Sequence, residues 1–217
     1  MSRREPILHT GRRFRVADRG QALDWLAVYN LGTLISTGAD GWPRASASPL
    51  VVRSDEQGRP RLYAHLDRRN PQVEHMRERR PLLYVAQGPR AYVSPSWFPR
   101  RPAAPTYLHV TVQVRGHAEP LDEEHTAWLL LETVATFEQR LPRPWHYDSG
   151  ERFLNGSAKA VAGFELVVDE IDAACKLSQD RSAEERTLIA AHLEQSEHSD
   201  DRVIAAMLRA LDATPIR

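Results

Sequence analysis

Apolar and polar residues alternate along several short segments of the chain, a pattern typical of β-strands with one buried face. The clearest alternation lies between Leu108 and Arg115, where Leu and Val on one face oppose His, Thr, Gln and Arg on the other. Other β-rich runs, separated by turn residues, cover residues 31–37, 45–52, 61–66, 81–86 and 162–168. About six strands at hairpin spacing predict an antiparallel β-barrel.

Helical periodicity appears before, between and after these strands. It predicts a short helix over residues 21–30 and a longer one over residues 123–140. Further along, Ser182 and Glu185 have the spacing of a capping box, and Ser199 can cap another helix. We therefore predict a mainly β fold with flanking helices. It would form a single domain over residues 1–217, with an N-terminal arm (1–19) and an α-helical C-terminal tail (182–217).

The composition fits a globular protein with one sizeable core. Hydrophobic residues make up 41% of the 217 positions, and charged residues make up 27%. Cys175 is the only cysteine, which excludes a disulfide within the chain and every multi-cysteine metal site. The histidines show no metal-ligand spacing, and no apolar run approaches the roughly 20 residues that cross a bilayer. We expect a cytoplasmic protein without a metal and without a membrane anchor.

The charges balance, with 29 basic and 29 acidic residues. Their distribution is uneven, because 19 of the basic residues but only 9 of the acidic ones lie in residues 1–115. Any anion site is therefore expected in the first half of the chain, although the two halves can also neutralise each other on packing. The neutral total and the absence of a helix-turn-helix pattern argue against direct DNA binding.

The strongest candidate site follows the strand that ends near His65. Asn70 is predicted to cap a helix whose first residue is Pro71, and the free N–H groups of a helix N-terminus attract anions. Arg68 and Arg69 add guanidinium groups suited to a phosphate. These residues predict a phosphate cradle, with a solvated arginine pair beside an ordinary capped helix as the alternative.

Two further segments could contribute to a site. Residues 88–99 contain three prolines around Tyr92, Trp97 and Phe98, which predicts a rigid aromatic loop that either walls a planar ligand or closes one end of the barrel. Residues 176–180 follow the last predicted strand and carry an ammonium, a hydroxyl and an amide group. The neighbouring Cys175 is interpreted as a packing residue rather than a nucleophile.

Taken together, four stretches of the chain resemble the PaiB-type FMN-binding proteins, a family of negative transcriptional regulators within the flavin-binding split-barrel superfamily. The more specific stretches are Tyr-Val-Ser-Pro-Ser-Trp at residues 92–97 and Lys-Leu-Ser-Gln at residues 176–179. The four stretches, in family order, are residues 31–37, 64–71, 88–98, and 163–164 through 176–180. The resemblance implies a six-stranded split barrel that forms a homodimer and binds FMN at the subunit interface.

The resemblance also implies which residues contact the cofactor. The phosphate would be held by Arg68, Arg69 and Asn70. The isoalloxazine ring would lie beside Ser48, Pro49 and Leu50. A wall would be supplied by Trp97, and further polar contacts by Lys176, Ser178 and Gln179.

The chain departs from the family pattern at several positions. Tyr107, Leu108, His109 and Gln113 replace the expected side chains of one strand, and Asp67 places a carboxylate beside the predicted phosphate site. We interpret the protein as an FMN-binding split-barrel protein of regulatory or redox role. Two alternatives remain open at this point. One is a flavin-dependent oxidoreductase of the pyridoxamine-phosphate-oxidase type, in which His109 is the candidate acid or base, and the other is a regulator that has lost FMN.

Overall fold

The structure is a computed structural model that describes residues 6–99, 104–145 and 156–213, with the side chain of Asp212 left aside. The predicted N-terminal arm and C-terminal tail therefore lie partly outside the described residues. Short 3-10 turns cover Arg12–Phe14 and Pro95–Trp97. The helices are α1 (Arg19–Val28), α2 (Gln72–Arg77), α3 (Glu123–Glu138), α4 (Ala183–Glu194) and α5 (Ser199–Ala213). The strands are β1 (Arg15–Val16), β2 (Leu31–Thr37), β3 (Pro43–Ser54), β4 (Pro60–Asp67), β5 (Pro81–Val93), β6 (Thr106–Pro120) and β7 (Val161–Lys176).

The strands form one sheet in the order β1-β7-β4-β3-β2-β5-β6. A further pairing of β6 with β7 closes six of the seven strands into a ring. The pairs β1–β7, β2–β3, β2–β5, β3–β4 and β4–β7 are antiparallel. The predicted mainly antiparallel barrel with flanking helices is thus confirmed. The short strand β1, which pairs with the end of β7, was not predicted.

The contacts divide the chain into two compact units, which are described separately below. The terminal unit contains residues 1–22, 87–112 and 172–217, within the part of the chain that the structure describes. The central unit contains residues 23–86 and 113–171, within the same limits. Strands β5, β6 and β7 contribute residues to both units.

A buried tyrosine joins three strands in the core of the central unit. The phenol oxygen of Tyr84, on β5, accepts the Gly32 N–H of β2 at 2.7 Å and donates to the Ser48 carbonyl of β3 at 2.9 Å. Gly32 and Ser48 are register partners, so the phenol oxygen links two residues that lie directly opposite each other on β2 and β3. A Cβ at residue 32 would lie 2.6 Å from the tyrosine ring, which explains why glycine stands there.

Helix α3 packs on the second half of β3 and on β4. The Arg53 Nε donates to Glu132 Oε2 at 2.5 Å, and the rings of Tyr63 and Trp128 meet edge to face at 5.1 Å. At the end of α3, the Arg140 guanidinium donates to the Ala27 carbonyl at 2.6 Å. The helix thereby covers the region around Arg53 and leaves the first half of β3 accessible.

Several predicted boundaries differ from the structure. Residues 88–93 continue β5 rather than forming a loop, because Ala91 and Val93 are buried while Arg90 and Tyr92 face outward, as in a strand. Strand β7 extends to Lys176, and Ser199 is the first residue of α5 rather than its cap. The predicted capping box at Ser182 is confirmed. In the described part of the chain, no helix has the length and apolar character needed to cross a membrane.

Candidate functional site

An open cleft of about 570 Å³ lies in the central unit, beside the first half of β3. Its volume falls within the roughly 300–1,000 Å³ range of small-molecule sites. Three lining residues come from β3 and the others from the end of β4, the following loop and the start of α2. They are Arg44, Ala45, Ser46, Asp67, Arg69, Asn70, Pro71 and Gln72.

Two amide side chains attach the loop to the sheet. The Asn70 Nδ2 donates to Ser46 Oγ at 2.8 Å, and its Oδ1 accepts the Gln72 N–H at 2.9 Å. The buried Gln72 Nε2 donates in turn to Ser36 Oγ at 2.9 Å and to the Arg44 carbonyl at 3.1 Å. These contacts fix the position of the loop against β2 and β3.

The predicted phosphate cradle differs in the structure, because the backbone N–H groups of its loop already donate to acceptors of the chain. Helix α2 begins at Gln72 rather than Pro71 and has only six residues, so it offers little dipole to an anion. The N–H groups of the loop all find acceptors within the chain: Arg68 on Ala160 O, Arg69 on Asp67 Oδ1, Asn70 on Asp67 O, Gln72 on Asn70 Oδ1 and Val73 on Asn70 O. An anion in this cleft must therefore be held by side chains.

Three side chains in the cleft can donate to an anion. The Ser46 Oγ accepts from Asn70, which leaves its own hydrogen to donate, and the structure gives it no acceptor among the described residues. The guanidinium groups of Arg44 and Arg69 also line the cleft. Arginine is well suited to phosphate because its planar N–H groups match the phosphate oxygens.

Each of these arginines is paired with a carboxylate. The Arg44 Nη2 lies 2.6 Å from Asp40 Oδ2 and lowers the pKa of Asp40. The Arg69 Nη2 lies 2.7 Å from Asp67 Oδ2, and its Nε lies 3.1 Å from Asp67 Oδ1. Donation from this guanidinium, and from the Arg69 backbone N–H, lowers the pKa of Asp67 to about 2. Asp67 is therefore ionised at neutral pH.

Arg68, the other arginine predicted to bind phosphate, has a different position. Its backbone N–H donates to the Ala160 carbonyl at 2.9 Å, and its side chain is exposed. It does not line the cleft. The structure thus brings Arg69 and Asn70 to the site together with Arg44 and Ser46, which the sequence analysis did not assign to phosphate. Their signal was the alternation of polar residues with alanine at the start of β3, where Arg44 and Ser46 lie on the same strand face as Ser48.

The residues predicted to lie beside a ring belong to two faces of β3. Ser48 and Leu50 are fully buried, and the Ser48 hydroxyl donates to the His65 carbonyl at 2.9 Å. Their side chains therefore cannot contact a ligand on the surface. Pro49 is half-buried on the opposite face, in line with the exposed Ala45 and Ala47. These three side chains are the ones that a ligand along β3 would meet.

This opposite face continues across three strands. Register partners on β2, β3 and β5 place their side chains together, and all of them are half-buried or exposed. Leu31 is 64% exposed, which is unusual for a large apolar side chain in a strand. We refer to the set as the outer face: Leu31, Thr33, Ile35, Ala45, Ala47, Pro49, Leu83 and Val85.

The other predicted cofactor contacts lie in the terminal unit, where Ser178 and Gln179 form a turn after β7. The Gln179 Oε1 accepts the Leu177 N–H at 2.8 Å, so this amide serves its own turn. Ser178 is buried and has a left-handed backbone conformation, with φ of 56°. The Lys176 Nζ donates to Thr106 Oγ1 at 2.7 Å, and Trp97 stacks on the His192 ring at 4.8 Å.

The positions that depart from the family pattern have varied environments. Leu108 is fully buried in the core, whereas Tyr107 is exposed and packs against Tyr92 with ring centroids 5.4 Å apart. His109 is half-buried, and burial together with the nearby charge of Lys176 lowers its pKa. Gln113, in the central unit, is half-buried. The lowered pKa keeps His109 neutral at physiological pH.

The single thiol is isolated from this chemistry. Cys175 is 1% exposed, and burial raises its pKa to about 12. Among the residues that the structure describes, no three His, Cys, Asp or Glu side chains form a group that could hold a metal ion.

The sequence matches the family described as "Putative FMN-binding domain" over residues 8–170. A relative, the "Protease synthase and sporulation protein PAI 2" of Bacillus subtilis (strain 168), is 26% identical over 196 residues, which cover 90% of this chain and 93% of that protein. The uncharacterized protein YKL070W of Saccharomyces cerevisiae is 29% identical over 104 residues, covering 46% of this chain and 62% of that protein.

Two solved structures resemble the fold. One is the FAD and heme binding protein from Mycobacterium smegmatis, with a TM-score of 0.59 and 15% identity, covering 79% of this chain and 78% of that chain. The other is the flavocytochrome Anf3 from Azotobacter vinelandii, with a TM-score of 0.56 and 18% identity, covering 77% of this chain and 72% of that chain. At these identities the likeness concerns the fold.

Proposed function

Because this chain belongs to the family of putative FMN-binding domains, we propose that it is an FMN-binding split-barrel protein of the PaiB type, with the cleft beside β3 as its phosphate site. The observation that carries this proposal is the donor set of the cleft. Two arginines and one serine hydroxyl line it, together with Ala45, a residue of the outer face. A phosphate group and a planar apolar ring need these two kinds of surface side by side.

The residues present fit the cofactor. Arg44, Arg69 and the Ser46 hydroxyl would hold the phosphate, since the backbone donors of the loop are occupied. The small side chains of Ala45 and Ala47 leave room for the isoalloxazine along β3. Bound FMN supplies one- and two-electron transfer, while the protein supplies binding, orientation and electrostatics.

The outer face supports a homodimer. Its apolar side chains include the exposed Leu31, and one of them, Ala45, lines the proposed phosphate site. Apolar surface of this kind is covered in a stable protein–protein interface, and a two-fold dimer would bring the same face of both subunits together. A second copy of the chain would then cover the ring of the cofactor on the side that the sheet leaves open.

The first prediction concerns the cofactor itself. Protein purified from cells without added flavin should show a flavin absorption spectrum, or acquire one after incubation with FMN and removal of the excess. Mass analysis of the material released on denaturation should identify FMN. A colourless protein in which FMN changes neither the fluorescence nor the thermal unfolding temperature would contradict the proposal.

The second prediction concerns the dimer. Ala47→Glu places a carboxylate in the middle of the outer face and should raise the dimer dissociation constant about tenfold, because that charge would be desolvated in the interface. Sedimentation velocity over a concentration series measures the change. Ala206→Glu, at an exposed position of α5, is the matched control and should leave the dimer unchanged. A wild-type monomer at all concentrations would contradict the dimer.

Redox and regulatory roles can be separated with the same material. If the protein is a flavin-dependent oxidoreductase, a nicotinamide donor should bleach the absorption of the bound flavin. The balanced charge favours an indirect regulatory role over direct DNA binding, and a salt-dependent gel shift on promoter DNA would reverse that view. The single cysteine is consistent with the reducing cytoplasm, where we propose that the protein acts.

A further inference from the structure

Both cationic side chains of the cleft are already neutralised by a carboxylate of the chain. Asp67 binds Arg69 through three contacts: one from the backbone N–H at 2.8 Å, one from Nε at 3.1 Å and one from Nη2 at 2.7 Å. Asp40 binds Arg44 through Nη2 at 2.6 Å. Asp40 lies in the turn before β3, whereas Asp67 lines the cleft itself.

The position of Asp67 has an electrostatic consequence for any anion that enters. The carboxylate holds the Nε–H and one Nη2–H of Arg69, so a phosphate either takes over these N–H groups or binds the remaining ones beside Asp67. In both cases Asp67 keeps its negative charge close to the phosphate, because even the ordinary pKa of an aspartate lies far below neutral pH. The side chains are open to water, at 90% for Arg69 and 50% for Asp67, so the ion pair can rearrange without opening the core.

We propose that Asp67 is an internal competitor of the phosphate, which lowers the affinity of the cleft for phosphorylated ligands and thereby determines how strongly the cofactor is held. This inference rests on the proposed FMN function and adds a specificity-determining residue to it. A purely structural role of Asp67 would be different. The carboxylate would then hold Arg69 in place for the phosphate, and its removal would weaken binding.

The test compares FMN with riboflavin, which has the same ring system but no phosphate. Asp67→Asn keeps the size of the side chain and an acceptor for the Arg69 N–H, but removes the charge. We expect it to lower the dissociation constant of FMN about 3- to 10-fold, in keeping with the modest strength of solvent-exposed ion pairs. The dissociation constant of riboflavin should stay within about twofold, because the ring does not meet Asp67. Quenching of flavin fluorescence on titration with protein measures both.

A matched control separates the local effect from a change in net charge. Glu194→Gln removes the same charge from a carboxylate that is as exposed as Asp67, and to which Arg209 donates at 2.9 Å and 3.2 Å. This variant should bind FMN as the wild type does. The gain of Asp67→Asn should also shrink as the salt concentration rises.

The outcomes distinguish this inference from the proposed function. If wild-type protein binds FMN and Asp67→Asn binds it equally or more weakly, the competitor role is overturned while the FMN function stands. An equal gain for riboflavin would also overturn it, since the effect would not involve the phosphate. If neither protein binds FMN, both proposals fail.

Discussion

Replacing Tyr84 by Phe should lower the free energy of unfolding by about 2 to 4 kcal/mol. The phenol oxygen is the partner of the Gly32 N–H and of the Ser48 carbonyl, and the whole side chain is buried. Phenylalanine fills the same space but removes the hydrogen bonds that the phenol makes to both backbone groups. Each unsatisfied buried group costs on the order of 1–3 kcal/mol. Urea unfolding followed by circular dichroism measures the difference.

Tyr92→Phe is the control for this experiment. Its ring lies on the exposed part of β5 against Tyr107, so loss of the hydroxyl should change the stability by less than about 0.5 kcal/mol. An unchanged unfolding transition for Tyr84→Phe would mean that another group takes over the bridging position between β2 and β3, and the assignment of the phenol as their shared partner would be wrong.

The double substitution Arg44→Ala with Arg69→Ala should weaken FMN binding about 10- to 100-fold. Charge-assisted hydrogen bonds are the strong ones, and these two guanidinium groups are the cationic donors that line the cleft within the described residues. Riboflavin affinity should change little, because only the phosphate contacts are removed. Fluorescence titration with both flavins provides the measurement.

Arg68→Ala is the matched control for the arginine variants, since it removes a neighbouring exposed guanidinium that does not line the cleft. We expect less than a twofold change in FMN affinity. If Arg68→Ala instead matches the loss of the double variant, the phosphate binds where the sequence pattern predicted it, and the cleft beside β3 is not the site.

Much of the fold follows from local patterns. Strand β2 has the predicted bounds, and the alternation from Leu108 to Arg115 corresponds to the buried and outward faces of β6. The boundaries that differ depend on tertiary pairing. Gly88 and Pro89 resemble a turn in sequence, yet the continuing sheet keeps residues 88–93 in β5.

The candidate site was less predictable than the fold. The sequence singled out residues 65–71, because Asn70 and the arginines follow directly on a strand. It could not show that every N–H of this loop is occupied, since one acceptor is the distant Ala160 carbonyl. Nor could it show that the Ser48 side chain points to the buried face of β3. That orientation depends on the register with Gly32, which three-dimensional packing determines.

The burial of Cys175 affects how redox measurements on this protein should be interpreted. A thiol that is 1% exposed, with a pKa of about 12, stays protonated and out of reach of oxidants at neutral pH. As the chain has no second cysteine, it cannot store an electron pair as an internal disulfide. The electrons that a flavin-loaded sample takes up can therefore be assigned to the flavin, because the thiol takes no part in the reaction.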